Sequence, residues 1–382
     1  MADPTTDPEI SITQISVDLD IQEILLAASQ HDIPKLRRLV RTQSALPDAA
    51  NVKDPETGYT PLHSAIAACE PEPETEETNA QANGDAPKPE LNADSEVLKT
   101  GAETVRFLLQ EGAIWNDLDN NDETPGCLAR RIGATELYEM IVDAGVRAEM
   151  LLTTTTGERL ANPEVSNPGY LDSTLNITTD RILDADQNGV MMSWESSIMQ
   201  KSAQKLLPRP GMKVLNVGHG MGIVDGFFQE QSPAAHHIIE AHPDVAAEMK
   251  RRGWDSKPGV VIHEGRWQDI LPGLIEAGET FDAIYYDTFA ESYADFRDFF
   301  SEQVIGLLEQ EGKWGFFNGM GADRQISYDV YQKVAEMDLF EAGFDVEWED
   351  IPVPKLDGEW EGVRRAYWVV DNYRLPLCRF MD

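Results

Sequence analysis

Basic residues are scarce. Against 68 aspartates and glutamates stand 31 lysines and arginines, a formal net charge of −37 over 382 residues. A field of that sign repels phosphate backbones and anionic lipid, which argues against direct nucleic-acid or membrane binding and for a basic partner. Cysteine is scarcer still: Cys69, Cys127 and Cys378 are odd in number and far apart, and neither CxxC nor GxSxG occurs. This removes a disulfide framework, a zinc clip and a serine nucleophile elbow. His219, His236, His237, His242 and His263 have no HExxH spacing, so no metal is expected and structural roles fit them better. The thiols read as reduced, in a cytoplasmic and nuclear protein. With Lys35 the first basic residue and no apolar run near the ~18 of a membrane span, neither a signal peptide nor a transmembrane segment is expected.

What is present is an ordinary globular composition, 41% hydrophobic and 26% charged, long enough for more than one domain. Residues 70–96, EPEPETEETNAQANGDAPKPELNADSE, hold nine acids and one lysine with almost no large apolar side chain. Such a stretch buries too little to order itself and reads as a disordered acidic insert. Around it two blocks line up, GYTPLHSAIA at 58–67 and DETPGCLARR at 122–131, with short helical patterns at 23–43, 103–113 and 134–146. Thr60-Pro61-Leu62-His63 matches the start of an ankyrin repeat, in which proline is tolerated in the first turn. Residues 21–150 are therefore expected to be ankyrin-like repeats interrupted by the insert, after a disordered stretch at 1–20. A generic helical-hairpin domain stays open.

From 211 onward short β-rich runs alternate with helical stretches: 213–218, 236–241, 259–264, 281–287 and 313–318, then 344–353 and 365–370 with no helix between. Alternation of this kind specifies a mainly parallel α/β sheet, here with a terminal antiparallel hairpin. Gly218, Gly220 and Gly222 follow the first strand and let the backbone approach a ligand and turn into a helix near Ile223. GxGxG fits S-adenosylmethionine better than a dinucleotide, although such turns also occur with no ligand. Glu240 ends the second strand, where an acid can accept from ribose hydroxyls. Trp267 and Gln268, after the third strand, offer a ring face and an amide suited to adenine, with core packing the alternative for Trp267. Asp287 ends the fourth strand at the carboxyl edge, where open α/β sheets bind ligands.

Four motifs in order, Val-Met-x-x-Trp-Glu-x-x-x-Met at 190–199, Val-Gly-x-Gly-Met at 217–221, Ile-Ile-Glu at 238–240 and Tyr-Asp-Thr at 286–288, give residues 165–380 a resemblance to the guanidinoacetate methyltransferases. With its N-terminal module the chain resembles their protein-modifying relatives, the fungal arginine N-methyltransferase 2 family. The resemblance implies a seven-stranded Rossmann-like class I methyltransferase sheet over 151–382, preceded by the small all-α domain. It implies S-adenosyl-L-methionine as cofactor, S-adenosyl-L-homocysteine as product and a guanidinium substrate. Family roles carried over by position give cofactor contacts at Met191, Met199, Val217, Gly218, His219, Gly220, Met221, Gly222, Glu240, Ala241, His242, Trp267, Gln268 and Asp287. Tyr170 joins them by approximate spacing. Glu195 and Asp287 match the acids that grip the guanidinium. The chain departs from the metabolite enzymes at Ser196-Ser197-Ile198, where they have Thr-Pro-Tyr, and at His219, where they have Phe.

Two carboxylates make chemical sense for such a substrate. A guanidinium with a pKa above ~12 is a poor nucleophile until a proton leaves. Paired acids hold its planar fork, aim one nitrogen at the methyl carbon and accept the proton. The expected activity is monomethylation of the internal (δ) guanidino nitrogen of arginine in a basic protein, which the resemblance makes a large-subunit ribosomal protein. The alternatives are methylation of a small guanidino metabolite and a catalytically silent ankyrin scaffold.

Overall fold

The computed structural model describes residues 12–43, 46–71, 96–155 and 165–381. The first eleven residues and nearly all of the acidic insert lie outside them. The chain divides into two compact units, Met1–Ala148 and Glu149–Asp382.

The first unit is helical: α1 (Ile12–Ser29), α2 (Ile33–Arg38), α3 (Pro61–Ala67), α4 (Glu96–Gln110), α5 (Pro125–Arg131) and α6 (Thr135–Thr155), the last running across the boundary between the units. Helix α1 starts at Ile12, so residues 12–20 are helical rather than disordered as expected. The two Thr-Pro blocks fold alike. Thr60 caps α3 by accepting from the His63 N–H, with His63 Nδ1 reciprocating at the Thr60 N–H, and Thr124 caps α5 by accepting from the Cys127 N–H. His63 Nε2 reaches the carbonyl of Glu123 at 3.1 Å, tying one block to the other.

The second unit runs α7 (Asn167–Leu171), β1 (Asn176–Ile177), β2 (Arg181–Leu183), β3 (Gly189–Met192), α8 (Ser196–Leu206), β4 (Lys213–Val217), α9 (Ile223–Glu230), β5 (Ala235–Glu240), α10 (Pro243–Arg251), β6 (Val260–Glu264), α11 (Trp267–Glu276), β7 (Phe281–Tyr286), α12 (Tyr293–Asp298), α13 (Ile305–Leu307), β8 (Leu308–Phe316), α14 (Gln325–Glu341), β9 (Phe344–Pro352) and β10 (Asn372–Phe380). Seven strands form one sheet in the order β6-β5-β4-β7-β8-β10-β9, in which β10 alone is antiparallel. This is the class I methyltransferase arrangement. The chain proceeds outward from β4 to β6, then crosses back to place β7 on the other side of β4. That reversal opens a crevice at the carboxyl ends of β4 and β7.

One strand differs from expectation. The seventh is Asn372–Phe380 rather than 365–370. Segment 365–370 is rich in aromatic and β-branched residues, yet Trp368 and Val370 are buried with Ile198, Tyr328, Tyr373 and Leu375 as part of a packed loop. The true strand carries Pro376, a residue that rarely sits inside a sheet. β8 also begins earlier than expected, at Leu308, and a small antiparallel sheet, β1-β2-β3, precedes α8. Met199, Ala203 and Leu206 of α8 pack on Val214 of β4 and on Ala283 and Tyr285 of β7, anchoring that small sheet's exit against the large one.

Candidate active site

The crevice is a cleft open to solvent, enclosing about 600 Å³ of which part is open solvent. Its floor is backbone. The Asp287 N–H donates to the Val217 carbonyl at 2.9 Å, so β4 and β7 deliver their following loops side by side. Gly218 has φ 95°, and a Cβ there would stand 1.8 Å from the Asp287 carbonyl oxygen; only glycine fits. At Gly220 a Cβ would meet the Met191 thioether at 2.7 Å. The Glu240 carboxylate accepts from the backbone N–H groups of His219 at 2.9 Å, Gly220 at 3.3 Å and His242 at 2.7 Å. A strand-end acid thus holds the glycine loop to the neighbouring strand while still lining the cleft.

Of the residues expected to bind the cofactor, Tyr170, Met191, Val217, Gly218, Gly220, Glu240, Ala241, Trp267 and Asp287 line this cleft. The others stand behind it. Met199 is wholly buried in the α8 core. The His219 ring turns inward: Nδ1 lies 2.6 Å from Asp225 Oδ2 and the ring packs edge-on against Trp254. Burial pushes the Asp225 carboxyl up, but contact with His219 and His236 more than reverses this and leaves it at about 2. Gly222 ends the loop as a left-handed cap of α9, and the Met221 N–H faces the Met191 sulfur at 3.2 Å. His242 caps α10 and carries Tyr170, with Nε2 3.1 Å from the Tyr170 carbonyl and the two rings 4.7 Å apart.

Glu291 is the main residue the sequence reading missed. Its carboxylate gathers four donors: Trp267 Nε1 at 2.9 Å, Gln268 Nε2 at 3.1 Å, Thr288 Oγ1 at 2.9 Å and the Tyr286 hydroxyl. Gln268 therefore acts through Glu291 rather than on the cleft directly. The available signal was an acid just beyond a strand-end Tyr-Asp-Thr, in a loop where ligands gather.

The two acids differ in setting. Asp287 lines the cleft, and its Oδ2 is buried with no hydrogen-bond partner. Burial, with Asp225 nearby, pushes it up to about 7. Glu195 closes a 3-10 turn, Ser193–Glu195, and is 3% exposed. Burial first and the Asp287 charge second raise it well above the usual carboxylate range, and the Tyr367 hydroxyl, which donates to Oε1, opposes the shift. An orphaned acceptor beside a second buried acid suits a ligand that brings N–H donors and positive charge. The glycine cradle, the Glu240 acid and the Tyr170 and Trp267 rings fit an adenosyl group carrying a sulfonium.

The family model described as Guanidinoacetate N-methyltransferase matches residues 170–353. The Protein arginine N-methyltransferase 2 of Aspergillus fumigatus is 64% identical, with 100% of this chain and 100% of that protein covered. The protein of the same name from Neurospora crassa is 42% identical over 95% of this chain and 96% of its own length. That from Saccharomyces cerevisiae is 36% identical over 76% and 80%.

Proposed function

Because the chain belongs to the protein arginine N-methyltransferase 2 family and is an S-adenosylmethionine-dependent methyltransferase, we propose that it monomethylates the internal guanidino nitrogen of an arginine in a basic protein, with Glu195 and Asp287 gripping the substrate. The observation that carries this reading is the pair of buried acids, one of which lines the cleft and keeps a buried, unpartnered oxygen. S-adenosylmethionine, when bound, supplies an electrophilic methyl group on a positively charged sulfur.

The residues divide the remaining work. Glu195 and Asp287 receive the two terminal nitrogens of the guanidinium by charge-assisted hydrogen bonds, which leaves the chain-bearing nitrogen directed at the methyl carbon. Their raised proton affinity in the free protein reflects burial first, with the Asp287 charge adding to it at Glu195 and the Asp225 charge at Asp287. A guanidinium and a sulfonium entering together balance both carboxylates, so binding favours their ionised forms. The proton that leaves the attacking nitrogen on methyl transfer would pass to this acid pair. Tyr170, tilted against His242 and edge-on to Phe289 at 4.9 Å, walls the cleft against water.

The basic partner is a large-subunit ribosomal protein in this reading, and the enzyme works in the cytoplasm and nucleus, where such proteins are made and assembled. The net charge of −37 supports a basic partner. Residues 21–150 are ankyrin-like repeats in this reading. The test is incubation with methyl-labelled S-adenosylmethionine and a ribosomal-protein extract, alongside Glu195→Gln and Asp287→Asn, followed by hydrolysis and separation of internally from terminally methylated arginine. Label in internal monomethylarginine, lost in both variants, is expected. Label in terminal methylarginine would overturn the regiochemistry, and turnover of free guanidinoacetate at a comparable rate would move the substrate to a small metabolite.

A further inference from the structure

The segment 353–371, between β9 and β10, lies beyond the region matched by the family model from its second residue on and belongs to no strand or helix. It is nonetheless firmly placed. The Val353 N–H donates to the Asp371 carbonyl and closes its base at 2.8 Å; the Arg364 N–H reaches the Gln187 carbonyl and the Val369 N–H the Ala322 carbonyl, each also at 2.8 Å. Arg181 Nη1 holds the Glu361 carbonyl at 2.9 Å. The segment is thereby pinned to the β2–β3 hairpin on one side and to the connection after β8 on the other.

Its aromatic residues converge on one acid. The Tyr367 ring lies 4.9 Å from Trp360 and 6.0 Å from Trp194, and Trp194 is 5.6 Å from the buried Trp368. At Gly189 of β3 a Cβ would stand 2.8 Å from Tyr367 Cε1, so the strand gives way to admit this ring. The hydroxyl at its tip donates to Glu195 Oε1. We propose that Tyr367 is a positioning residue for the methyl-transfer reaction, its hydroxyl anchoring one Glu195 oxygen so that the ionised carboxylate is favoured and aimed at the guanidinium.

The choice of a phenol is physically specific. A lysine or arginine here would neutralise Glu195 and compete with the substrate, whereas a hydroxyl orients the carboxylate and leaves its charge available. Burial and the neighbouring Glu195 charge hold Tyr367 in its protonated form, so the donor persists across the working pH range. The other titratable groups facing Glu195 are Asp287 and Tyr285 from β7 and its end and Tyr373 from β10. The tyrosines among them remain neutral through burial, so Asp287 is the one neighbour whose charge opposes ionisation.

This inference rests on the reading of Glu195 as the guanidinium-binding acid, and its test has one arm that needs no turnover. In full-length protein labelled with carboxyl-13C glutamate, infrared titration follows the neutral-carboxyl band, and the component missing from Glu195→Gln identifies Glu195. Tyr367→Phe removes the donor at nearly constant volume and is expected to raise the Glu195 midpoint by about one pH unit. Incorporating 3-fluorotyrosine at position 367, a more acidic donor with the same packing, is expected to lower it. The second arm is steady-state methylation of an arginine peptide. There Tyr367→Phe should move the acidic limb of kcat/KM upward in step with the midpoint and raise KM for the peptide, with cofactor affinity within about threefold of wild type. An unchanged midpoint in both substitutions would overturn the positioning role. Absence of methylarginine from the wild-type protein would instead sink the functional reading while the midpoints still reported on Tyr367.

Discussion

The two sides of the cleft are built by different means. On the cofactor side, β4, its glycine loop and the end of β5 fall within about 30 consecutive residues, and most contacts run through backbone: Glu240 to three N–H groups, Gly218 against the Asp287 carbonyl. On the side proposed to take substrate, Asp287 lines the cleft with Glu195 and Tyr367 buried near it; Glu195, Asp287 and Tyr367 arrive from the turn after β3, the end of β7 and the loop before β10, and they meet through side chains. A backbone-built site tolerates substitution wherever the side chain points elsewhere, as at His219, and fails where a Cβ has no room. A site built from buried charges keeps its shape under isosteric change but loses its chemistry.

That contrast is breakable. Glu195→Gln or Asp287→Asn should lower kcat by roughly 10³ or more while cofactor affinity, measured by calorimetry with S-adenosylhomocysteine, changes only a few-fold. An equal loss of cofactor affinity would show that the two sides are one. Gly218→Ala should cost cofactor affinity most. With φ at 95° and the Asp287 carbonyl 1.8 Å from the new Cβ, cofactor affinity should fall about 100-fold or more, and kcat should fall with it because the same clash displaces Asp287.

The next effect is graded by pH. Asp287 is raised to about 7 in the free protein, Glu195 is raised as well, and both must be ionised to receive a cation, so kcat/KM for an arginine peptide should fall at least about tenfold per unit below pH 7. S-adenosylhomocysteine, which lacks the sulfonium charge, should bind with little change across the same range. A parallel fall in its affinity would contradict the division. Glu291→Ala should have the smallest effect, about tenfold on cofactor affinity with kcat nearly retained, because it strands the Trp267 and Gln268 donors without touching the acids. A change in kcat alone would move Glu291 to the substrate side.

Legibility in the sequence followed the same line. Gly218, Gly220, Glu240 and Trp267 were readable because strand, turn and helix follow one another and each role is set by local geometry. Asp287 was readable as a strand-end acid. Glu195 gained its pairing with Asp287 through the resemblance, since nothing local marks a glutamate in a methionine-rich run as buried beside another acid. Gln268 and His219 were placed on the cofactor, but their side chains work one layer back, through Glu291 and Asp225. The last strand was misplaced because residues 365–370 look more strand-like than a segment carrying Pro376. Trp368 and Val370 owe that character to packing inside a loop, and no periodicity distinguishes the two cases.

By itself, then, the sequence determined the alternation that builds the sheet, the glycine positions that admit a ligand and the excess of acid that favours a basic partner. These depend on backbone conformation and net charge, which are properties of short segments or of the whole chain. Only the tertiary structure decided which carboxyls lose their water, which of them is left with an open oxygen and which tyrosine holds the other. Desolvation and side-chain pairing depend on neighbours far away in the chain, as the 172 residues between Glu195 and Tyr367 make plain.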